Sequence, residues 1–233
     1  MQIDGQTALV TGANRGFGRY LAQQLRDRGA TVYAGARNPA AVDLDGVRPI
    51  KIDITDPASV AEAAHSIGNA SIVINNAGSS TGASLLTGSL DDVRLEMDTH
   101  FFGTLSVCRA FAPQLGQHDQ SAILNVISTL SWYTFPYVGA YCAAKSANWS
   151  MTNSLRLELA DQGTRVAALH VAHMDTGMGR DADVPKKADP ADIARIALDG
   201  IADDAYEIVA DDTSREVMAG LAAGVTGLYP QFA

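Results

Sequence analysis

The chain has 233 residues, with 17 Lys and Arg against 26 Asp and Glu and a formal charge of −9. That balance repels a phosphate backbone, and no basic run gathers positive charge on one segment, so nucleic acid and anionic membranes are disfavoured and a small-molecule ligand is expected. Hydrophobic residues make up 47% and charged residues 18%, a balance that predicts one compact domain over residues 1–233 rather than a disordered chain. Cys108 and Cys142 form no metal pattern and no disulfide framework, and read as buried thiols of a reducing compartment. Neither a basic, apolar leader nor an apolar run long enough to span a bilayer is found, which points to the cytoplasm.

Short runs rich in Val, Ile and Ala alternate with longer stretches of helical period, the pattern of parallel βαβ units. In chain order, strands are predicted at residues 7–11, 31–36, 48–53, 71–75, 122–128, 166–171 and 207–210. The fold class that follows is α/β: a doubly wound, seven-stranded parallel sheet with helices on both faces. Between the first two strands, Phe17, Leu21 and Leu25 recur every four residues on one helical face, and Gly29 supplies the stop. Further helices are predicted over 57–67, 91–115, 139–162, 190–204 and 213–224. No linker, repeat or low-complexity tract divides the chain.

Thr11-Gly12-Ala13-Asn14-Arg15-Gly16-Phe17-Gly18 joins the first strand to the first helix, where a doubly wound fold binds dinucleotides. Gly12 permits the tight turn, Gly16 lets backbone approach a pyrophosphate, and Gly18 lets helix and sheet pack closely behind the helix N-terminus. The second strand ends Ala34-Gly35-Ala36-Arg37, without the carboxylate that would hold a free ribose 2′-OH. Arg37 offers a planar fork to a 2′-phosphate instead, and Arg15 is a second cation, on the glycine loop. Either arginine alone reads as a solvated surface residue; together they favour NADP(H).

Tyr141 and Lys145 lie four apart on a predicted helix and so share a face. A phenol is a poor acid at neutral pH, and a neighbouring ammonium is expected to lower its pKa. Ser128 closes the fifth strand, at the carboxyl end where such folds place their sites, with Ser131 as the alternative.

With the TGxxxGxG loop, Asn75-Asn76-Ala77-Gly78 and Tyr141-Cys142-Ala143-Ala144-Lys145, the chain resembles the classical short-chain dehydrogenase/reductases over nearly its whole length. The resemblance implies a Rossmann-type domain and assigns cofactor contacts to Gly12, Asn14, Arg15, Gly16, Phe17 and Gly18, to Arg37, and to Asp53 and Ile54 as the adenine-side pair. It adds Asn76, Ala77 and Gly78, the Tyr141 and Lys145 side chains, Val171 and Thr176. It also implies the chemistry: Tyr141 as proton donor, Lys145 holding the nicotinamide ribose, and Ser128 hydrogen-bonding the substrate oxygen.

Two departures from the family pattern stand out. After the sixth strand, Val171-Ala172-His173-Met174-Asp175-Thr176 keeps the threonine but lacks the usual Pro-Gly. The family has asparagine where His100 stands, and that asparagine helps to hold a water behind the lysine. Histidine could serve the same relay, displace the water, or be a packed core residue. His170 and His173 lack acidic co-ligands, and no metal site is expected.

Trp132, Tyr133, Phe135 and Tyr137 lie between Ser128 and Tyr141, in the stretch that walls the substrate pocket in the family. An aromatic wall suits an apolar or cyclic ketone, although any one ring could instead fill a subunit interface. The stretch 176–189 offers Met178 and Val184 as sizeable apolar residues, with Lys186 and Lys187 beside them, a short lid over an open site. The expected activity is that of an NADP(H)-dependent carbonyl reductase or alcohol dehydrogenase. The alternatives are a non-catalytic NADP(H)-responsive protein, or epimerase or dehydratase chemistry on the same fold. A homodimer or homotetramer is expected through the helices over 91–115 and 139–162.

Overall fold

The computed structural model describes residues 1–178 and 187–232; Val184 and Lys186 of the expected lid lie outside the described residues. Seven strands form one parallel sheet: β1 (Thr7–Thr11), β2 (Thr31–Ala36), β3 (Arg48–Lys51), β4 (Ile72–Asn75), β5 (Ser121–Val126), β6 (Thr164–His170) and β7 (Glu207–Val209). Their order is β3-β2-β1-β4-β5-β6-β7, so the winding direction reverses between β1 and β4. That crevice is where a doubly wound sheet opens to a ligand.

Both faces of the sheet are covered at its centre, which is why β1, β4 and β5 read as apolar runs, while the edge strand β3 (Arg48–Lys51) stays largely exposed. Ala8, Val10, Ile72, Ile74 and Leu124 point to one side, against α1 (Gly16–Asp27) and α6 (Pro190–Ala202). Leu9, Val73 and Ile123 point to the other, with Val60 of α2 (Pro57–Ile67) among the side chains packed there. Two helices begin with the same device: Asp56 and Asp189 accept from Ala58 N and Ala191 N at 2.9 and 2.7 Å, with Pro57 and Pro190 at the first helical position. Each cap contributes about 1 kcal/mol.

The helix predicted over 91–115 is three pieces: α3 (Leu90–Met97), a π-helical stretch Asp98–Gly103, and α4 (Thr104–Leu115). Gly103 allows the widened turn to close, because a Cβ there would stand 3.0 Å from Asp98 O and from Ile54 Cδ1. His100 sits inside this turn, a deformation that often marks a functional site. The helix predicted over 139–162 stops earlier, as α5 (Gly139–Glu158). The last predicted helix is also divided, into α7 (Asp212–Gly220), a single 3-10 turn, and α8 (Gly224–Leu228), with Gly224 at φ 70°.

Ser128 falls two residues beyond β5, yet its neighbours extend the ladder: Ile127 N donates to Leu169 O at 2.9 Å and Thr129 N to Val171 O at 3.1 Å. Ser128 is therefore held in extended backbone at the carboxyl edge of the sheet.

Candidate active site

The glycine loop is braced from behind by β4's exit. Thr11 Oγ1 accepts from Asn76 N and Ala77 N, both at 3.0 Å, while Asn76 Nδ2 donates to Thr11 O at 2.9 Å and Gly12 O at 3.3 Å. A Cβ on Gly12 would stand 2.9 Å from Ala77 Cα, and one on Gly18 only 2.3 Å from Gly12 O. At Gly16, by contrast, a Cβ would meet only the Thr176 Cβ at 3.9 Å, so the loop is tight beneath and open above. The N-terminus of α1 has no side-chain cap and no acidic residue in its first turn, which leaves its amides for an anion. This cradle fits a dinucleotide. Asn76 turns its amide to the loop, and Phe17 is buried in the core, so its side chain does not line the cradle.

Arg15 and Arg37 are both exposed at this end of the sheet. Asp53 accepts from Thr55 N and Oγ1 at 3.0 and 2.7 Å; those bonds, the hydroxyl's above all, and the Arg37 charge hold its carboxyl below the usual range. Ile54 is buried against the π-turn at Gly103. Asn14 lies on the glycine loop, partly exposed.

Ser128, Tyr141 and Lys145 come together. α5 carries Tyr141 and Lys145 on one face, and the Lys145 Nζ lies 5.5 Å from the centroid of the Tyr141 ring. Ser128 lies beside the Tyr141 hydroxyl and acts to lower its pKa, while its own Oγ accepts from Leu130 N at 3.1 Å and donates to Val171 O at 3.4 Å. Lys145 is buried, with Nζ donating to Val126 O at 2.9 Å. Burial pulls its ammonium down to about 7, against the attraction of Glu96. Burial likewise pushes the Tyr141 phenol up, and the Ser128 hydrogen bond only partly offsets this. The phenol is thus raised in this arrangement, not lowered as the Tyr-Lys pairing suggested, because desolvation outweighs the Ser128 hydrogen bond and the Glu96 charge adds to the rise.

His100 is buried and its ring meets that of Tyr141 at 5.0 Å between centroids, with the planes at 85°. Burial and the Lys145 charge lower its pKa, while Glu96 and Ser79 act to raise it. Its carbonyl accepts from Asn148 Nδ2 at 2.8 Å. Neither Glu96 nor Asn148 was singled out from the sequence; for Glu96 the signal was its position four residues before His100.

The aromatic cluster divides. Trp132 is buried and stacks on His170, so it is a core residue and not a pocket wall. Tyr133 and Phe135 pack edge to face at 4.9 Å, and Tyr229 stacks on Tyr133 while accepting from Thr134 N at 3.0 Å. Tyr229 thus joins this aromatic cluster from a distant part of the chain, a contact that local sequence could not reveal. Tyr137 and Met178 are exposed.

His170 binds Glu207 Oε2 through Nε2 at 2.8 Å, and among the described residues no three or more His, Cys, Asp or Glu side chains are grouped to hold a metal ion. The loop after β6 lacks its proline but is fixed otherwise: Ala172 N donates to Asp211 at 2.7 Å, and Asp175 N to Ala188 O at 3.0 Å. Val171 is buried and Thr176 faces the glycine loop.

The family described as short chain dehydrogenase matches residues 6–187. The chain is 32% identical over 176 residues to a 3-ketodihydrosphingosine reductase of Bacteroides thetaiotaomicron, a match covering 74% of this chain and 65% of that protein. It is 33% identical over 177 residues to an NADPH-dependent 1-acyldihydroxyacetone phosphate reductase of Schizosaccharomyces pombe, covering 72% and 60%. The chain therefore spans less than two thirds of the length of these two relatives. A short chain dehydrogenase structure from Burkholderia cenocepacia, in complex with NADP, superposes with a TM-score of 0.94 at 35% identity, over 99% of this chain and 98% of that one. Among the described residues no helix is long and apolar enough to cross a membrane.

Proposed function

Since the chain belongs to the short-chain dehydrogenase family of oxidoreductases, we propose that it is an NADP(H)-dependent carbonyl reductase, reversible as an alcohol dehydrogenase, acting on a small apolar or cyclic substrate. The observation that carries this reading is the convergence of Ser128, Tyr141 and Lys145 beside the glycine cradle, at the carboxyl edge of the sheet. When bound, the dinucleotide supplies a hydride to the carbonyl carbon, or accepts one from the alcohol. Tyr141 gives its hydroxyl proton to the substrate oxygen, Ser128 donates a hydrogen bond to that same oxygen, and Lys145 stabilises the phenolate that forms. His100 belongs to the route by which that proton is replaced. Its position on the Tyr141 ring, with Glu96 behind it, supports this reading over that of a filler.

NADP(H) is favoured by exposed Arg15 and Arg37 and by the absence of a carboxylate at the end of β2; the B. cenocepacia structure with NADP supports the same choice. Apolar or cyclic substrates are favoured by Tyr133, Phe135 and Tyr229. Assembly into a homodimer or homotetramer in the cytoplasm is part of the same proposal, supported by exposed Phe102 on the π-turn and Leu157 on α5.

The test is a panel of ketones, aldehydes and alcohols with NADPH or NADP⁺, followed at the absorbance of reduced nicotinamide. Turnover of cyclic or aryl ketones with NADPH is expected. Tight binding of the dinucleotide without consumption on any carbonyl or alcohol would overturn the assignment as an oxidoreductase acting on them.

A further inference from the structure

Glu96 is wholly buried in the last turn of α3, a helix whose other residues are partly or fully exposed. Its carboxylate has three donors: Ser79 Oγ at 2.9 Å, Thr81 N, and His100 Nε2 at 3.2 Å. A buried carboxylate with this many partners stays ionised, so a full negative charge stands beside the imidazole. These donors come from the loop just after Gly78 and from the π-turn, so Glu96 ties the cofactor-side loop to the segment facing Tyr141.

The contacts of His100 then determine its tautomer. Nε2 lies 2.9 Å from Ser79 O as well as 3.2 Å from Glu96 Oε2, two oxygen acceptors that are satisfied when this nitrogen carries the proton. The Ser79 N–H also points at Nε2, at 3.3 Å, and would favour a bare nitrogen, but it is the longest of the three contacts and is outweighed by an oxygen at 2.9 Å and a charged one at 3.2 Å. The ring packs on Gly78, where a Cβ would stand 2.8 Å from its Cε1, and Asn148 anchors the His100 carbonyl from α5.

We infer that Glu96 is a positioning residue for the reaction, its buried carboxylate fixing His100 as the Nε2–H tautomer with Nδ1 as the nitrogen that takes up a proton. The inference rests on the reading of His100 as part of the proton route. In reduction the Tyr141 O–H bond breaks, the substrate oxygen gains that proton, and one must return from solvent. The groups facing the imidazole are Glu96 from α3, Ser79 from the loop after β4, and Tyr141 and Lys145 from α5. Lys145 opposes a second positive charge; Glu96 is the group that offsets it and lets the imidazole hold a proton in transit.

The experiment uses full-length protein with ¹⁵N-labelled histidine. Long-range ¹H–¹⁵N spectra distinguish the two tautomers, and His100→Asn identifies the His100 signals among the five histidines. The wild type is expected to show Nε2–H for neutral His100. Glu96→Gln, close to isosteric, is expected to shift the His100 titration to lower pH and to reduce kcat about tenfold, with KM for NADPH within about twofold. The same substitution made on His100→Asn is expected to cost no more than about twofold further, since no imidazole is left to position. An Nδ1–H tautomer in the wild type, or an equal loss of kcat from Glu96→Gln in both backgrounds, overturns the inference. If His100→Asn leaves kcat and its pH profile unchanged, the proton-route reading is what fails; the tautomer is decided by the spectrum alone.

Discussion

Trp132 stacks on His170 with the ring centroids 3.7 Å apart and the planes 14° from parallel. His170 in turn reaches Glu207, which Arg156 holds at 2.9 Å, so the segment just after Ser128 is fastened to β6 and β7. Ser131 Oγ closes the same segment on Ser128 O at 2.8 Å. Removing the indole should leave a cavity under the loop that carries Ser128. Trp132→Ala is expected to lose about 3–5 kcal/mol of stability, read as a lower urea midpoint at unchanged m-value. A Trp132→Ala protein of full stability with only an altered substrate KM would return Trp132 to the pocket wall.

Tyr141→Phe keeps the ring against His100 and removes the proton donor. The reduction rate is expected to fall by about a hundredfold or more, the scale of a lost general acid, while the dissociation constant of NADPH stays within about twofold. Turnover near the parent rate would show that another group protonates the substrate oxygen.

The sheet and its helices were legible because the central strands are buried on both faces, giving apolar runs such as Ile72–Asn75 that periodicity separates from the helical stretches around them. The glycine loop and the Tyr141–Lys145 spacing were legible because their chemistry is local. The π-turn at Asp98–Gly103 was not, since one added residue per turn leaves the apolar positions on either side in apparent helical phase. Nor could the aromatic run be divided. Trp132 turns inward because His170 lies beneath it and Tyr133 outward because Tyr229 covers it, and both partners come from distant parts of the chain. Glu96 is not legible as buried either, because the groups that close over it, Ser79 and Thr81, come from a separate loop.

Cofactor preference should follow the charge at the end of β2. Arg37→Asp replaces a cation that binds a 2′-phosphate by a carboxylate that repels it and accepts from a free 2′-OH. Hydrogen bonds to charged groups contribute about 1.5–3 kcal/mol, so the NADPH-to-NADH ratio of kcat/KM is expected to fall at least about tenfold. Adding Arg15→Ala should lower it further. An unchanged ratio in the double variant would separate these arginines from the ribose.

Lys145 sets the sign of the stability change with pH in the mildly alkaline range. Its folded pKa of about 7 lies below the ordinary 10.5 because burial penalises the ammonium. Between those values the unfolded chain binds a proton that the folded chain has released, so stability rises with pH across that window and is lost again as pH falls through about 7. Two groups act in the opposite sense higher up. Burial pushes the Cys108 thiol from 9.0 up to about 12, and the Tyr141 phenol is raised above 10.0; each ionises sooner when unfolded and so erodes stability as pH climbs past its ordinary value. The sum is a gain from about pH 7 to about pH 9, a level stretch to about pH 10 where Lys145 and Cys108 offset one another, and then a decline. Lys145→Met, which fills the same space without a titrating group, is expected to abolish the gain and keep the decline. Urea unfolding of both proteins at intervals across this range checks it, and parallel curves would show that Lys145 does not lose its proton inside the folded protein.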